Sequence, residues 1–167
     1  MSAQSLGWQA AASVLVDTDA FGGTRVGPGL TGVALVRPDR PLSYTLTLTV
    51  ARTDFRVESD ELHRNHGAVA LGVRYAPPRD GPRVGVTMGL GVLAWDDVSE
   101  TDPTFRSGAD ADAMLFPGVE VSIPAGSVRI DLALRDLMTG WWNALLDPAE
   151  GDVRHRVTAS IGIELGS

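Results

Sequence analysis

The stretch from Leu42 to Arg52 reads L-S-Y-T-L-T-L-T-V-A-R and alternates between apolar and small or polar residues. In an extended chain, one face carries Leu42, Tyr44, Leu46, Leu48 and Val50. The opposite face carries Ser43, Thr45, Thr47, Thr49 and Ala51. A period of two residues is the signature of a β-strand whose two faces meet different surroundings. This stretch therefore predicts a strand, and no helical period of about 3.6 residues fits it.

The same alternation recurs along the whole chain. The other alternating segments are Leu6–Val16, Val26–Val36, Gly67–Tyr75, Arg83–Trp95, Ala113–Ile123, Val128–Leu137 and Arg156–Leu165. Val26–Val36 is rich in glycine, and which of its residues share a face is ambiguous. Together the segments predict an all-β chain with eight strands. A length of 167 residues suits one domain, so residues 1–167 are expected to form a single β-barrel domain.

The connections between these segments alternate in length. The short ones are Arg37–Arg40, Pro77–Pro82 and Pro124–Gly126. The long ones are Asp17–Arg25, Asp54–His66, Trp95–Asp112 and Met138–Asp152. This alternation predicts consecutive antiparallel hairpins, with tight turns at one end and polar loops at the other. The expected architecture is an eight-stranded antiparallel up-and-down barrel, and short turns opposite long loops are typical of transmembrane β-barrels.

The composition of the two faces predicts which one points outward. The apolar face is an uninterrupted series of Val, Leu, Ile and Ala, which suits lipid, whereas the other is mostly Gly, Ser and Thr. Eight strands leave room only for small side chains and paired charges inside. The polar face carries three basic and three acidic residues: Arg74, Glu120, Arg129, Asp131, Arg135 and Glu164. We therefore predict a transmembrane barrel whose lumen is plugged by an ion-pair network of these six residues.

Aromatic residues are expected at both membrane interfaces of such a barrel. The candidates are Trp8, Tyr44, Tyr75 and Trp95. A second apolar cluster, Trp141, Trp142, Leu145 and Leu146, lies in the last long loop. It is a candidate surface for a protein partner or for the membrane interface, although packing against its own loop is the preferred interpretation.

Bulk composition excludes several classes of function. A net charge of −7 disfavours a nucleic-acid partner, because phosphate recognition needs basic surfaces. The absence of cysteine excludes disulfides and thiolate metal sites.

His63 and His66 lie among Glu58, Asp60 and Glu61, but two histidines in a polar loop are expected to be solvated, so no metal site is predicted. The same interpretation applies to the acidic loop residues Asp96, Asp97, Glu100, Asp102, Asp110 and Asp112, and no cofactor is expected.

The last third of the chain resembles the end of small OmpA-like and OmpW-like outer-membrane β-barrel proteins. The penultimate strand contains R-x-D-x-x-x-R-D from Arg129 to Asp136, and the last strand, His155–Ile163, ends on Gly162 followed by an apolar residue. The likeness covers residues 126 to 166 by motif and the rest by architecture. A terminal Phe or Trp, frequent in these families, is missing, since the chain ends Leu165-Gly166-Ser167.

The resemblance implies a bacterial outer-membrane protein in a lipid bilayer, with a structural, anchoring or surface-interaction role. It leaves open a protein partner at the long loops and the oligomeric state. Met1-Ser2-Ala3 does not begin a signal peptide, so this expectation takes the chain as a mature form.

Three alternative functions remain open at this stage. The first is a soluble β-barrel whose apolar row lines a cavity for a small apolar ligand. The second is a narrow pore gated by the lumen charges. The third is a lipid-modifying outer-membrane enzyme, for which His-x-Ser on a strand would be the local motif. The histidines are followed two residues later by Asn65, Ala68 and Val157, so no enzyme and no catalytic residue are predicted.

Overall fold

The computed structural model describes residues 5–18, 24–57, 60–77, 80–99, 104, 109–146 and 152–165. Its strands are β1 (Leu6–Thr18), β2 (Thr24–Val36), β3 (Leu42–Val57), β4 (Asp60–Tyr75), β5 (Arg83–Ser99), β6 (Asp110–Ala125), β7 (Val128–Asp136) and β8 (Arg156–Leu165). A short helix, α1 (Trp141–Leu146), lies between β7 and β8. Within the described ranges, no helix has the length and apolar character needed to span a bilayer.

The strands close into a barrel in chain order. Each strand pairs antiparallel with the next, and β1 pairs with β8 from Trp8 opposite Leu165 to Asp17 opposite Arg156. Closure leaves no unpaired sheet edge, which is a requirement for any β-structure surrounded by lipid. The predicted all-β, eight-stranded antiparallel up-and-down barrel is confirmed.

The apolar face of the sheet points outward. Leu71 on β4 is 68% exposed and Leu30 on β2 is 63% exposed, whereas Thr45, Thr47 and Thr49 on β3 are buried inside. Soluble monomers rarely expose large contiguous apolar patches, but a transmembrane barrel needs an outward apolar band. The soluble alternative, in which the apolar row lines an internal cavity, is therefore wrong about the direction of that row.

The hairpin of β3 and β4 is longer than the sequence indicated. The expected loop Asp54–His66 is wrong, because the two strands stay paired up to Val57 opposite Asp60. Beyond Ala51, the outward side chains Arg52 and Asp54 are polar and exposed. The outward apolar row ends there, so the pattern that identified the strand is lost although the backbone pairing continues.

Other strands also extend past their predicted ends for the same reason. β1 reaches Thr18 and β2 already begins at Thr24, so both ends of the expected loop Asp17–Arg25 are strand. Similarly, β5 continues to Ser99 and β6 begins at Asp110. The end of the barrel that carries these connections, called the outer end below, is therefore built largely of paired strands. The opposite end, with the short turns, is called the inner end.

Outward aromatic residues lie at the inner end. Trp8, Tyr44 and Tyr75 are more than half exposed and lie on the outward face, close to the short turns or the chain terminus. Trp95, expected in the same role, instead lies on the lumen face, with the Arg156 guanidinium carbon 4.9 Å from its ring centroid. Its assignment to an interface girdle is wrong, because Trp95 shares the inward parity of Leu93 and Asp97 on β5.

The first short turn is tied to the start of the chain. The Arg37 amide donates to the Ser5 carbonyl at 2.9 Å, and the Arg40 amide donates to the Arg37 carbonyl at 3.1 Å. The Ser5 hydroxyl donates to the Asp39 carboxylate and, together with the backbone of Asp39, holds the pKa of that carboxyl below its usual value. These contacts fix the inner end of the β1–β2 hairpin.

A charge placed on the middle of the outer wall tests this orientation. Leu71→Arg puts a guanidinium at the centre of the apolar band, and we expect it to lower the free energy of unfolding in lipid vesicles by about 2–4 kcal/mol. The matched control is Leu165→Arg beside Trp8 at the inner interface, with an expected loss of about 0–1 kcal/mol. Denaturant titration followed by tryptophan emission measures both. Equal losses at the two positions would contradict a lipid-facing wall.

Candidate lumen site

The lumen near the inner end holds a buried group of charged side chains, here called the inner cluster: Arg74, Arg83, Glu120 and Glu164. They come from β4, β5, β6 and β8, and each of the four is buried. Alternate residues of a strand point to opposite faces of the sheet. Each of these four residues is an even number of positions from the small Gly, Ser and Thr residues of its strand that face the lumen, so its side chain also points inward. The tilt and stagger of the strands then bring residues from non-adjacent strands together across a narrow interior.

Arg74 is the centre of the inner cluster. Its Nε donates to Glu120 Oε1, and its Nη2 donates to Glu164 Oε2 at 3.2 Å. Arg83 Nη2 donates to Glu164 Oε1. The carboxylates therefore receive charge-assisted hydrogen bonds from guanidinium groups, the arrangement that offsets the cost of removing both ions from water.

Two further polar side chains extend the inner cluster. Gln9 on β1 donates through Nε2 to Glu164 Oε2 at 3.1 Å. Arg135 on β7 places Nη2 3.9 Å from Glu120 Oε2, and its Nη1 donates to Ser160 Oγ at 3.1 Å. A Cβ on Gly118 would lie 2.9 Å from Arg135 Cγ, so the glycine makes room for this long side chain beside the strand.

The remaining two of the six predicted residues lie beside the inner cluster. Arg129 is half-buried and donates to Ser122 Oγ at 2.8 Å and to the Gly81 carbonyl at 2.9 Å. Asp131 is buried and lies opposite Ser122 in the pairing of β6 with β7. In the part of the chain that the structure describes, neither Arg129 nor Asp131 has an ion-pair partner within 4.0 Å. The structure thus brings Arg74, Glu120, Arg135 and Glu164 together and places Arg129 closer to the short turns.

Sequence reasoning omitted Arg83 and Gln9 from the lumen. The pattern contained the information, because Arg83 has the parity of Gly85 and Thr87 and lies opposite Ser122 on β6. Gln9 likewise has the parity of Ser13. Arg83 is the first residue of its predicted segment, and Gln9 is uncharged, so neither was among the six charged residues assigned to the lumen.

A second buried polar group, the outer cluster, lies at the other end of the lumen: Asp17, Arg64, His66, Asp97 and Arg156. Arg64 binds Asp97 in a bidentate manner, with Nε to Oδ1 at 2.6 Å and Nη2 to Oδ2 at 2.8 Å. Arg156 Nε lies 3.1 Å from Asp17 Oδ1, and Arg64 Nη1 lies 3.8 Å from Asp17 Oδ2. The Asp17 side chain is 1% exposed, so this pairing takes place out of water.

Hydroxyl and aromatic groups complete the outer cluster. His66 Nε2 is 3.1 Å from Thr53 Oγ1, and Arg156 Nη1 donates to Thr139 Oγ1 at 2.9 Å. Sequence reasoning missed the cluster because Asp17, Arg64, His66 and Asp97 were assigned to loops or loop boundaries, where parity has no meaning.

An apolar layer separates the two clusters. It consists mainly of Leu15, Leu93, Met114, Phe116 and Leu137, each at most 1% exposed. Along the lumen face of β6, Met114 and Phe116 lie between the outer end and Glu120. The interior therefore has three levels, a charged one at each end and an apolar one between them.

The histidine pair considered for a metal does not form a site. His63 and His66 are three residues apart on β4, and strand geometry puts such residues on opposite faces. Among the described residues, no group of three or more histidine and acidic side chains is positioned to hold a metal ion. Glu58, Glu100 and Asp102 lie outside the described residues.

The apolar loop cluster forms the helix α1 at the outer rim. Its indole rings, Trp141 and Trp142, meet edge to face with centroids 5.4 Å apart. Leu145 and Leu146 are 68% and 69% exposed, and Trp142 is also exposed. Trp141, by contrast, is half-buried, so within the described residues the cluster presents three exposed apolar side chains and one that is partly covered.

The start of α1 is attached to the barrel wall. Met138 pairs with Leu115 on β6, Thr139 pairs with Arg154, and the Gly140 amide donates to Asp112 Oδ2 at 3.0 Å. Gly140 has a φ of +74° and a Cβ there would lie 2.1 Å from the Asp152 carbonyl oxygen, so the position requires glycine. α1 is therefore held in one place although it lies in a long connection.

The closed barrel, with its outward apolar wall, has the fold of the small eight-stranded outer-membrane β-barrels. It is similar to the crystal structure of Neisserial surface protein A (NspA), with a TM-score of 0.68 and 14% identity over 97% of each chain. It is also similar to Ail, the attachment invasion locus protein of Yersinia pestis, in complex with the heparin analogue sucrose octasulfate. That match has a TM-score of 0.63 and 10% identity, and covers 99% of this chain and 100% of Ail.

A second structure of Ail matches with a TM-score of 0.54 and 12% identity, over 98% of this chain and 100% of the other. No protein-family model and no curated protein sequence matches the chain. The likeness is therefore one of fold, carried by strand number, order and closure.

Removing one member of the inner cluster tests its contribution to stability. Arg74→Met leaves Glu120 and Glu164 without their shared partner, and we expect a loss of about 3–5 kcal/mol in the free energy of unfolding in detergent micelles. Glu120→Gln alone should also destabilise. The double variant should lose less than the sum of the two, because it removes a charge of each sign. Strict additivity of the two losses would show that Arg74 and Glu120 are not coupled.

Proposed function

We propose that this chain is a non-enzymatic barrel of the bacterial outer membrane that serves as a surface anchor and interaction protein, with its lumen closed by side chains. The observation that carries the proposal is the combination of an apolar outer wall with an interior that holds buried side chains at three levels. A ligand carrier needs an internal cavity and a porin needs a wide aqueous one. A barrel filled in this way has its outside and its ends available for function.

The height of the apolar wall supports insertion in a membrane. On β3 the outward apolar residues run from Leu42 to Val50, which is nine residues, before the exposed Arg52. A tilted strand needs about 9–11 residues to cross the hydrocarbon core. The polar extension from Arg52 to Arg56 then stands outside the lipid.

The lengths of the connections at the two ends of the barrel support one orientation across the membrane. Outer-membrane barrels place short turns on the periplasmic side and longer connections on the cell surface. The inner end of this barrel has the short turns, and the outer end has the longer connections after β5 and β7. We therefore assign the outer end, with α1, to the cell surface.

A surface role is in keeping with the names of the similar structures, a Neisserial surface protein and an attachment invasion locus protein. The sulfated ligand held by Ail is not carried over to this chain. A net charge of −7 disfavours a polyanionic partner.

The proposal of a non-enzymatic role is supported by the placement of the histidines. His155 is half-exposed and its Nδ1 lies 2.6 Å from Asp136 Oδ2, on the outward face of the barrel. The nearby β8 hydroxyls Thr158 and Ser160 lie on the lumen face, where Thr158 and the guanidinium of Arg135 bound to Ser160 are buried. His66 is buried within the outer cluster. These placements do not assemble the serine–histidine–acid geometry that a deacylase-type reaction needs.

Fractionation tests the membrane assignment. When the chain is expressed with an export signal, we expect it in the outer-membrane fraction, resistant to alkaline washing and extracted only by detergent, because its wall is apolar. Unheated samples should migrate differently from boiled ones in detergent gels. A monodisperse monomer obtained without detergent would contradict the proposal.

Electrical recording tests the closed lumen. In planar bilayers we expect no steady unit conductance, because the apolar layer around Phe116 and Leu93 excludes water between the charged ends. A porin in the same bilayer is the positive control. Reproducible current steps from the purified chain would instead favour the narrow-pore alternative.

A further inference from the structure

The exposed residues of α1 form one apolar face. Successive residues of a helix are about 100° apart, so Trp142, Leu145 and Leu146 point in similar directions. Ala144 points to the opposite side and is half-buried, and α1 contacts β6. The helix thus lies against the barrel through one side and presents Trp142, Leu145 and Leu146, called the α1 face, away from it.

This face is continuous with the apolar wall. Met138 pairs with Leu115, whose side chain belongs to the outward row of β6 together with Val119 and Val121. α1 begins three residues after Met138, with its first turn fixed by the hydrogen bond from Gly140 to Asp112. The apolar wall therefore ends at this point of the rim in an apolar helix rather than in polar strand residues.

The distribution of aromatic side chains identifies what covers the α1 face. At the inner end, Trp8, Tyr44 and Tyr75 are exposed on the outward face. At the outer strand ends, the outward positions that the structure describes carry no Trp, Tyr or Phe. Barrels in lipid are flanked by aromatic residues at both interfaces, where an indole has its ring in the apolar region and its N–H near water. Trp142 supplies an aromatic residue at the interface where the strands have none.

We propose that α1 is an interfacial anchor whose apolar face, Trp142, Leu145 and Leu146, docks on the head-group region of the surrounding outer leaflet. The inference rests on the proposed function, since it places the adjoining wall in lipid. The partner is the lipid surface itself. The helix is pre-positioned by its attachment to β6, so docking requires little ordering of the chain.

The absence of cysteine from the sequence allows a direct test with single labels. Leu145→Cys on the α1 face, Leu71→Cys on the wall and Arg40→Cys in the first short turn are each labelled with an environment-sensitive fluorophore. The purified full chain is reconstituted into phosphatidylcholine–phosphatidylglycerol vesicles. These vesicles contain lipids with a nitroxide either near the head group or deep in the acyl chain, and iodide serves as the aqueous quencher.

We expect the label at position 71 to be quenched mainly by the deep nitroxide. The label at position 145 should lose on the order of half its emission to the shallow nitroxide and be protected from iodide relative to the label at position 40. Each labelled variant is checked by its heat-dependent gel shift. Leu146→Cys, which is exposed to the same extent, repeats the measurement if Leu145→Cys does not fold.

The possible results separate the two proposals. If the label at position 71 is quenched by lipid while the label at position 145 is quenched by iodide and by neither nitroxide, the anchor is wrong and the membrane assignment stands. The α1 face would then be free for a protein partner. If the label at position 71 is not quenched by either nitroxide, the membrane assignment itself fails, and the anchor fails with it.

Discussion

The structure depends on the hydrogen bonds between β1 and β8. A polypeptide surrounded by lipid has no water to satisfy its backbone, so an open sheet would leave a row of unpaired amides and carbonyls at each edge. The pairing from Trp8 and Leu165 to Asp17 and Arg156 removes both edges at once. A barrel of eight strands has an interior just wide enough for side chains to fill.

That narrow interior explains the composition of the inward row. Many positions are Gly, Ala, Ser or Thr, and most of the charged side chains among the others are arginines and carboxylates that lie in the two clusters. Arg74 satisfies two carboxylates at once and Arg64 binds Asp97 with two hydrogen bonds, so the burial of charge is accompanied by direct pairing. The apolar layer of Leu15, Leu93, Met114, Phe116 and Leu137 fills the space between the two charged levels without polar atoms that would need partners.

Sequence patterning predicted the architecture well because the two faces of the wall differ strictly in polarity. In Leu42–Val50 and Val84–Val92 every outward residue is apolar or aromatic and exposed. On β3 and β4 the apolar outward row ends near Arg52 and His63, and this is why the paired strands continue unnoticed beyond these residues. Asp17 and Arg64 of the outer cluster were missed for the same reason, because they lie beyond the end of the outward apolar row.

Residue parity also has a limit within the regularly alternating strands. It places Arg74 and Glu120 in the lumen but does not say that they meet, because they lie on β4 and β6, with β5 between them. Which side chains touch depends on the stagger of the strands and on the length of each arginine. The same reasoning accounts for Arg129 and Asp131, which have the right parity and yet lie beside the cluster. For Trp95, parity gives the right answer and residue type the wrong one. Its aromatic side chain suggested a membrane interface, but its position on β5 places it on the inward face with Leu93 and Asp97.

The inner cluster has a consequence for assembly. Its contacts join residues very far apart in the chain, with Gln9 and Glu164 separated by 155 positions and Arg74 and Glu164 by 90. Glu164 can reach these partners only after the first and last strands have met. A slip of one residue at this seam would turn Glu164 from the lumen toward lipid. The cluster therefore disfavours a misaligned closure, because its hydrogen bonds and ion pairs form only when the two ends of the chain are in register.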